Sequence, residues 1–158
     1  MSLRSFFQWC DSLTIANAIR DSRFLFPIIE SIHILALAVL LGTVIVVSMR
    51  LLGKGMKQRS VAEVYGELSR LRNWALATML VTGFLLFSSE AMKCYDNPPF
   101  LTKMVLLAIA ITFQYTVVRA ISGKPDAFLG RFQATAVAWG SLVLWFGVGT
   151  AGRAIGFY

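Results

Sequence analysis

Histidine is nearly missing from this chain: His33 is the only one. A single imidazole rules out a pair of histidines on one iron within one subunit. Cysteine is almost as scarce, with Cys10 and Cys94 alone, and neither their number nor their spacing makes a zinc site or a CxxCH haem-attachment motif. Acidic residues are few, 8 against 15 Lys and Arg, which leaves a net charge of +7. The basic residues are scattered between apolar runs and form no face, so nucleic acid is excluded as a partner. The first 22 residues, MSLRSFFQWCDSLTIANAIRDS, lack both an uninterrupted apolar core and a small-residue cleavage site, and so do not read as a cleavable signal peptide. There is no internal repeat and no low-complexity tract.

What the chain has in quantity is apolar surface. Its 158 residues are 57% hydrophobic, and the mean hydropathy is +0.69. A soluble domain of this length has too little interior to hide so much. Lipid is the better solvent, and the chain is short enough to form one transmembrane domain, 1–158. Four Trp and twelve Phe suit anchoring at membrane interfaces, and the basic balance suits anionic headgroups. The bilayer is therefore the first expected partner.

Four segments qualify as spans, at about 24–52, 73–89, 100–118 and 132–150. A hydrocarbon core of ~30 Å takes about 20 helical residues, and none of these runs shows the alternation of a membrane strand. Backbone groups in lipid must be satisfied internally, which leaves helices. The expected fold is all-α: a four-helix integral membrane bundle preceded by an interfacial amphipathic helix over 1–22. In that helix Phe6, Trp9, Leu13, Ala16 and Ile19 or Arg20 recur at helical spacing. Asn97-Pro98-Pro99 predicts an extended turn, and Gly123 with Pro125 predicts a helix stop.

The loops joining spans one to two and three to four carry Lys54, Lys57, Arg59, Arg70, Arg72, Lys124 and Arg131. By the positive-inside rule this places both termini outward, in the periplasm if the membrane is a bacterial inner membrane. Cys10 and Cys94 then share the outward side, where they either pair or stay as buried free thiols. Arg50 reads as an anchor at the opposite face, or as a partner for Glu63 or Glu67.

A charge at mid-bilayer costs at least ~2.5–3.5 kcal/mol on insertion scales, so it needs a partner or a purpose. The first span, FPIIESIHILALAVLLGTVIVVSMRLL, keeps Glu30 and His33 one helical turn apart. Antiparallel threading brings Glu90, Lys103 and Arg153 to the same outer half of the bundle. Small Ala36 and Gly42 beside the His33 face serve either close helix packing or a flat cofactor. A neutral imidazole in an apolar bundle core is a suitable iron ligand. Lys103 and Arg153 would suit propionates, Glu30 would balance or orient them, and Lys103, if deprotonated, would be a second axial ligand. Met79, Met92 and Met104 offer thioethers or simply fill space. Against this stands a histidine that only hydrogen-bonds a neighbouring helix.

FPIIESIH, LLGT and RLLG in the first span, TGFLLF in the second, YDNPPFLTK entering the third, and SLVLW with AGR in the fourth form an ordered set. Together they resemble an uncharacterised family of small bacterial inner-membrane proteins over nearly the whole chain. That family's pattern has an Asp two residues before the Arg of RLLG, where this chain has Ser48. More distantly the layout is similar to HemJ-type protoporphyrinogen oxidases and CopD-type copper-resistance membrane domains. Those place a His early in the first helix, a TG pair in a following one and a Lys entering a later one. HemJ-type proteins bind haem b, and the resemblance implies a metal-ligand role for His33 and a ligand role for Lys103. The chain lacks the further His and the Trp-Lys context of those enzymes, so oxidase activity is not carried over.

The expectation is a haem b membrane protein serving electron transfer or haem-related redox, with an unidentified redox partner; whether it is an enzyme is left open. The alternative is a cofactor-free small membrane protein: a structural oligomer, a transporter or a copper-handling component. Copper handling would call for outward Met or His clusters, and only Met92 and Cys94 are there. Gly42, Gly140, Gly147 and Gly149 offer close-approach surfaces for a homo-oligomer.

Overall fold

The computed structural model describes residues 3–126 and 129–157. Met1, Ser2, Ala127, Phe128 and Tyr158 lie outside the described residues, and with them the first two positions of the expected interfacial helix and part of the SGKPDAFLGR connection. Every regular element among the described residues is helical.

The N-terminal segment forms two short helices, α1 (Leu3–Asp11) and α2 (Thr14–Asp21), where one was expected. The break is held by Arg20, whose guanidinium donates to the Asp11 carboxylate at 2.8 Å and to the Asp11 carbonyl at 2.7 Å. The buried face also differs from expectation. Phe7, Cys10, Ala16 and Ile19 are buried, whereas Phe6 and Trp9 are exposed. The break after Asp11 lets each short helix turn its own apolar side inward.

Four long helices follow. They are α3 (Leu25–Leu51), α4 (Val61–Ser89), α6 and α7 (Arg131–Ala154). α6 begins as Pro98–Phe113, continues through a π turn at Gln114–Val118 and ends at Ser122. A short α5 (Ala91–Tyr95) links α4 to α6, and α7 closes in a 3-10 turn, Ile155–Phe157. All four long helices have the length and apolarity of bilayer spans.

The helix starts have local causes. At Ser60 the hydroxyl accepts from the Glu63 amide at 3.2 Å, and the Glu63 carboxylate accepts from the Ser60 amide at 2.8 Å. This capping box starts α4 twelve residues before the expected Asn73, so the polar connection KGMKQRSVAEVYGELSRLR, expected to be part-helical with Val61, Val64, Tyr65 and Leu68 on one side, is helix from Val61 and continuous with the span. Asn97-Pro98-Pro99 is likewise a helix start. The Asn97 side chain accepts from the Phe100 amide at 3.1 Å, and proline occupies the first helical positions, where a missing N–H costs nothing. The helix stop expected at Gly123 is where α6 ends.

α3 packs along α4 and α7, and α7 packs along α6. α4 meets α6 at Arg119–Ser122 and through the Tyr115 hydroxyl, which donates to Asn73 at 2.7 Å. Phe87 also stacks on Phe100 at 5.3 Å between ring centroids, but α4 has no extensive backbone contact with Pro98–Phe113. Both described chain ends lie at one end of the bundle, called here the terminal end; the α3–α4 and α6–α7 connections mark the loop end. The middle of the bundle is filled by Leu40, Val44, Leu76, Met79, Leu107, Ala110, Trp145 and Val148. A second cluster at the loop end includes Val47, Val61, Val64, Val118 and Ala138. Large apolar side chains such as Trp74, Val81, Val105, Trp139 and Val143 stay exposed along the long helices, which suits hydrocarbon surroundings.

Candidate functional site: a lateral cavity at the terminal end

Between α4 and the first part of α6, which touch through the stacked rings of Phe87 and Phe100 but have no extensive backbone contact, a cavity of about 460 Å³ opens. Its wall is almost wholly apolar: Phe84, Phe87, Leu80 and Met79 from α4, and Phe100, Leu101, Met104 and Leu107 from α6. α1 covers one side with Phe6 and Phe7. Phe7 is wedged edge-on against Phe87 at 5.2 Å, Tyr95 at 5.3 Å and Phe100 at 6.3 Å between ring centroids. Only two of the lining side chains, His33 and Lys103, are polar.

His33 is placed by α4. Its Nδ1 lies 2.9 Å from the Thr82 hydroxyl oxygen. The Thr82 hydroxyl has one hydrogen, and its closest acceptor is the Thr78 carbonyl at 2.7 Å. The network therefore assigns the His33 proton to Nδ1, which donates to Thr82. Nε2 is left as the nitrogen with a free lone pair. Next to Thr82, Gly83 makes the room: a Cβ there would stand 3.1 Å from His33 Cε1.

Lys103 has the matching arrangement on α7. A Cβ at Gly152 would stand 3.3 Å from its Nζ and 3.4 Å from its Cε, so the glycine gives the end of the lysine side chain room beside α7. The ion pairs among the described residues are Asp11–Arg20, Arg50–Asp126, Arg59–Glu67 and Glu90–Lys93, and none involves Lys103. His33 and Lys103 line the same cavity.

A model of the family of unknown function DUF6644 matches residues 6–158. The chain belongs to that family. No curated protein and no solved structure matches it.

In this DUF6644 chain the structure brings together two of the four expected site residues, His33 and Lys103. Glu30 is exposed on α3 and pairs with neither Lys103 nor Arg153. Arg153 lies outside the cavity lining, with its guanidinium 5.3 Å from the Phe157 ring centroid. Glu90 is taken by Lys93 at 2.6 Å. Gly42, expected to serve close helix packing or to leave room for a flat cofactor, has open space around it and so makes no close helix contact; the glycine against the imidazole is Gly83. Arg50 pairs with Asp126 rather than with Glu63 or Glu67. Met79 and Met104 line the cavity and Met92 does not. Among the described residues no group of three His, Cys, Asp or Glu side chains is gathered for a metal ion.

Cys10 and Cys94 are both free thiols, buried in one cluster with Phe7 and Ala91. Burial, reinforced by the nearby Glu90 carboxylate, pushes the Cys94 thiol up to about 11. At neutral pH it stays protonated and is a poor nucleophile.

Proposed function

We propose that the chain is a haem b-binding membrane protein, with His33 as the iron ligand, serving electron transfer or haem-related redox chemistry. The observation that carries this reading is the His33–Thr82 hydrogen bond. With the Thr82 hydroxyl donating to the Thr78 carbonyl, it makes Nδ1 the donor on a ring that lines an apolar cavity, the arrangement in which a second residue fixes the tautomer of a ligating imidazole. A cavity of about 460 Å³ lies within the size range of small-molecule sites. Lys103, Met79 and Met104 also line the cavity and would each offer a further donor to the iron, and Lys103 could instead hold a carboxylate of the cofactor. Bound haem would supply a one-electron couple. The chain's own residues orient the imidazole, exclude water with a wall of rings and hold one cation at the site.

The visible spectrum of detergent-purified protein, produced with haem supplied, tests the reading. A Soret band with α and β bands that sharpen on reduction is expected. A colourless preparation defeats it and leaves a cofactor-free protein, a transporter or structural oligomer, as the better description.

The same reading places the protein in a bacterial inner membrane with both termini in the periplasm, supported by the basic residues of the loop end. Alkaline phosphatase fused after Tyr158 should then be active. A fluorescent reporter that folds only in the cytoplasm, if bright at that position, overturns the orientation.

A further inference from the structure

A second cavity, of about 370 Å³, lies at the loop end and shares no lining residue with the first. It forms where helices begin and end. Arg50 and Leu51 close α3, Val61 opens α4, Arg131 opens α7, and Asp126 from the α6–α7 connection stands among them. All three helices have the length and apolarity of bilayer spans. The ends of α3 and α7, and the cavity with them, therefore belong at the depth of lipid headgroups.

Charge at this cavity is out of balance. Asp126 is the one carboxylate in the lining, and it is already shared. Arg50 donates to one of its oxygens through Nη2, and the Val61 amide donates to the other at 3.1 Å. Arg50 Nε is held in turn by the Arg59 carbonyl at 2.6 Å. Two anchors thus fix the Arg50 guanidinium at the cavity. Arg131 has no ion pair among the described residues. The helix it opens, α7, has no side-chain cap at Gly130 and no acidic residue in its first turn. Such a helix start carries about half a positive charge on its free amides. Two guanidiniums and that helix start face a single carboxylate, and the surplus is positive.

We propose that this cavity seats the phosphate group of an anionic phospholipid from the leaflet at the loop end. Guanidinium forks and helix N-termini are both matched to phosphate oxygens, and basic pockets between transmembrane helices bind anionic headgroups. Leu51, Leu52 and Leu129 supply an apolar part of the lining, a dry surface for the glycerol and first acyl carbons that a soluble phosphate does not need. The inference rests on the four helices spanning a bilayer and not on haem.

The test is the thermal midpoint of the detergent-purified protein titrated with phosphatidylglycerol, with phosphatidylcholine keeping total lipid constant. A separate titration uses inorganic phosphate at constant ionic strength. A saturable rise in Tm with phosphatidylglycerol is expected. Arg131→Gln, an exposed side chain with no ion pair to lose, should move half-saturation about tenfold higher by removing one charged contact to phosphate. Lys57→Gln neutralises an exposed cation at the same end but outside the cavity, and should leave the titration where it is. A weaker rise with inorganic phosphate, also lost in Arg131→Gln, keeps the site and shows that the phosphate group suffices for recognition. A rise with inorganic phosphate alone assigns the cavity to a soluble anion and overturns the lipid. The proposal fails as well if neither ligand raises the Tm, or if Arg131→Gln titrates as the wild type does. Equal weakening by Arg131→Gln and Lys57→Gln also sinks it, since diffuse surface charge gives that result. No arm reads absorbance, so a colourless protein leaves this test unaffected.

Discussion

His33→Ala is expected to remove bound haem completely, while the four long helices remain folded and inserted. The imidazole is the chain's only one, so no other histidine can move in to replace it. The lost fold energy is small. Thr82 keeps its bond to the Thr78 carbonyl, and the hydrogen bond given up is worth about 0.5–1.5 kcal/mol net. The measurement is the ratio of Soret to protein absorbance, with far-UV circular dichroism to confirm that helicity is unchanged. Lys103→Met separates the two roles open to the lysine: as an axial ligand its loss shifts the bands or the potential, and as a propionate partner it changes them little. Arg153, outside the cavity, should be replaceable by alanine with no spectral change. If His33→Ala keeps a full, unshifted Soret band, the ligand assignment is wrong, and the histidine serves only to join α3 to α4.

Trp145→Ala should cost about 3–5 kcal/mol of stability, the largest effect expected from any single packing change. The Trp145 side chain is 1% exposed, in the mid-bundle cluster with Leu40, Met79, Leu107 and Val148. Met79 and Leu107 also line the cavity, so the indole supports its floor. In a bilayer the cost comes from the void and the lost contacts, because lipid solvates apolar side chains about as well as protein does. Unfolding in mixed detergent should show the loss, and Trp145→Phe should recover most of it. A change below about 1 kcal/mol would mean that the neighbours collapse into the space.

The spans were legible because hydropathy is additive along the chain, and a window of apolar residues needs no knowledge of its neighbours. Helix ends were less so. Asn73 looked like the start of a helix because apolar residues begin there, yet Ser60 and Glu63 at the spacing of a capping box already mark the true start. The cavity was half legible. His33 and Lys103 stood out as polar groups in apolar runs, and depth alone put them at the same end. Depth says nothing about direction around a helix, and so Glu30 and Arg153 were grouped with residues they do not meet. Thr82, Gly83 and Gly152 were visible only as short motifs, TGF and AGR, because a glycine's purpose lies in whatever side chain passes beside it. Arg72 counted as one more positive charge of a loop. Nothing in one dimension distinguishes an arginine that reaches water from one enclosed by Tyr65 and Tyr115.

The opening between α4 and α6 sets the terms on which anything enters. Leu80, Phe84, Leu101 and Met104 line it and are exposed on the flanks of long apolar helices, so in a bilayer the entrance would face acyl chains instead of water. Occupancy is then governed by mole fraction within the membrane. A sparingly soluble compound that is dilute in water can be abundant on that scale, and a modest intrinsic affinity suffices to fill the site. Micelles reverse the advantage, since each added detergent molecule dilutes the pool from which the cavity draws.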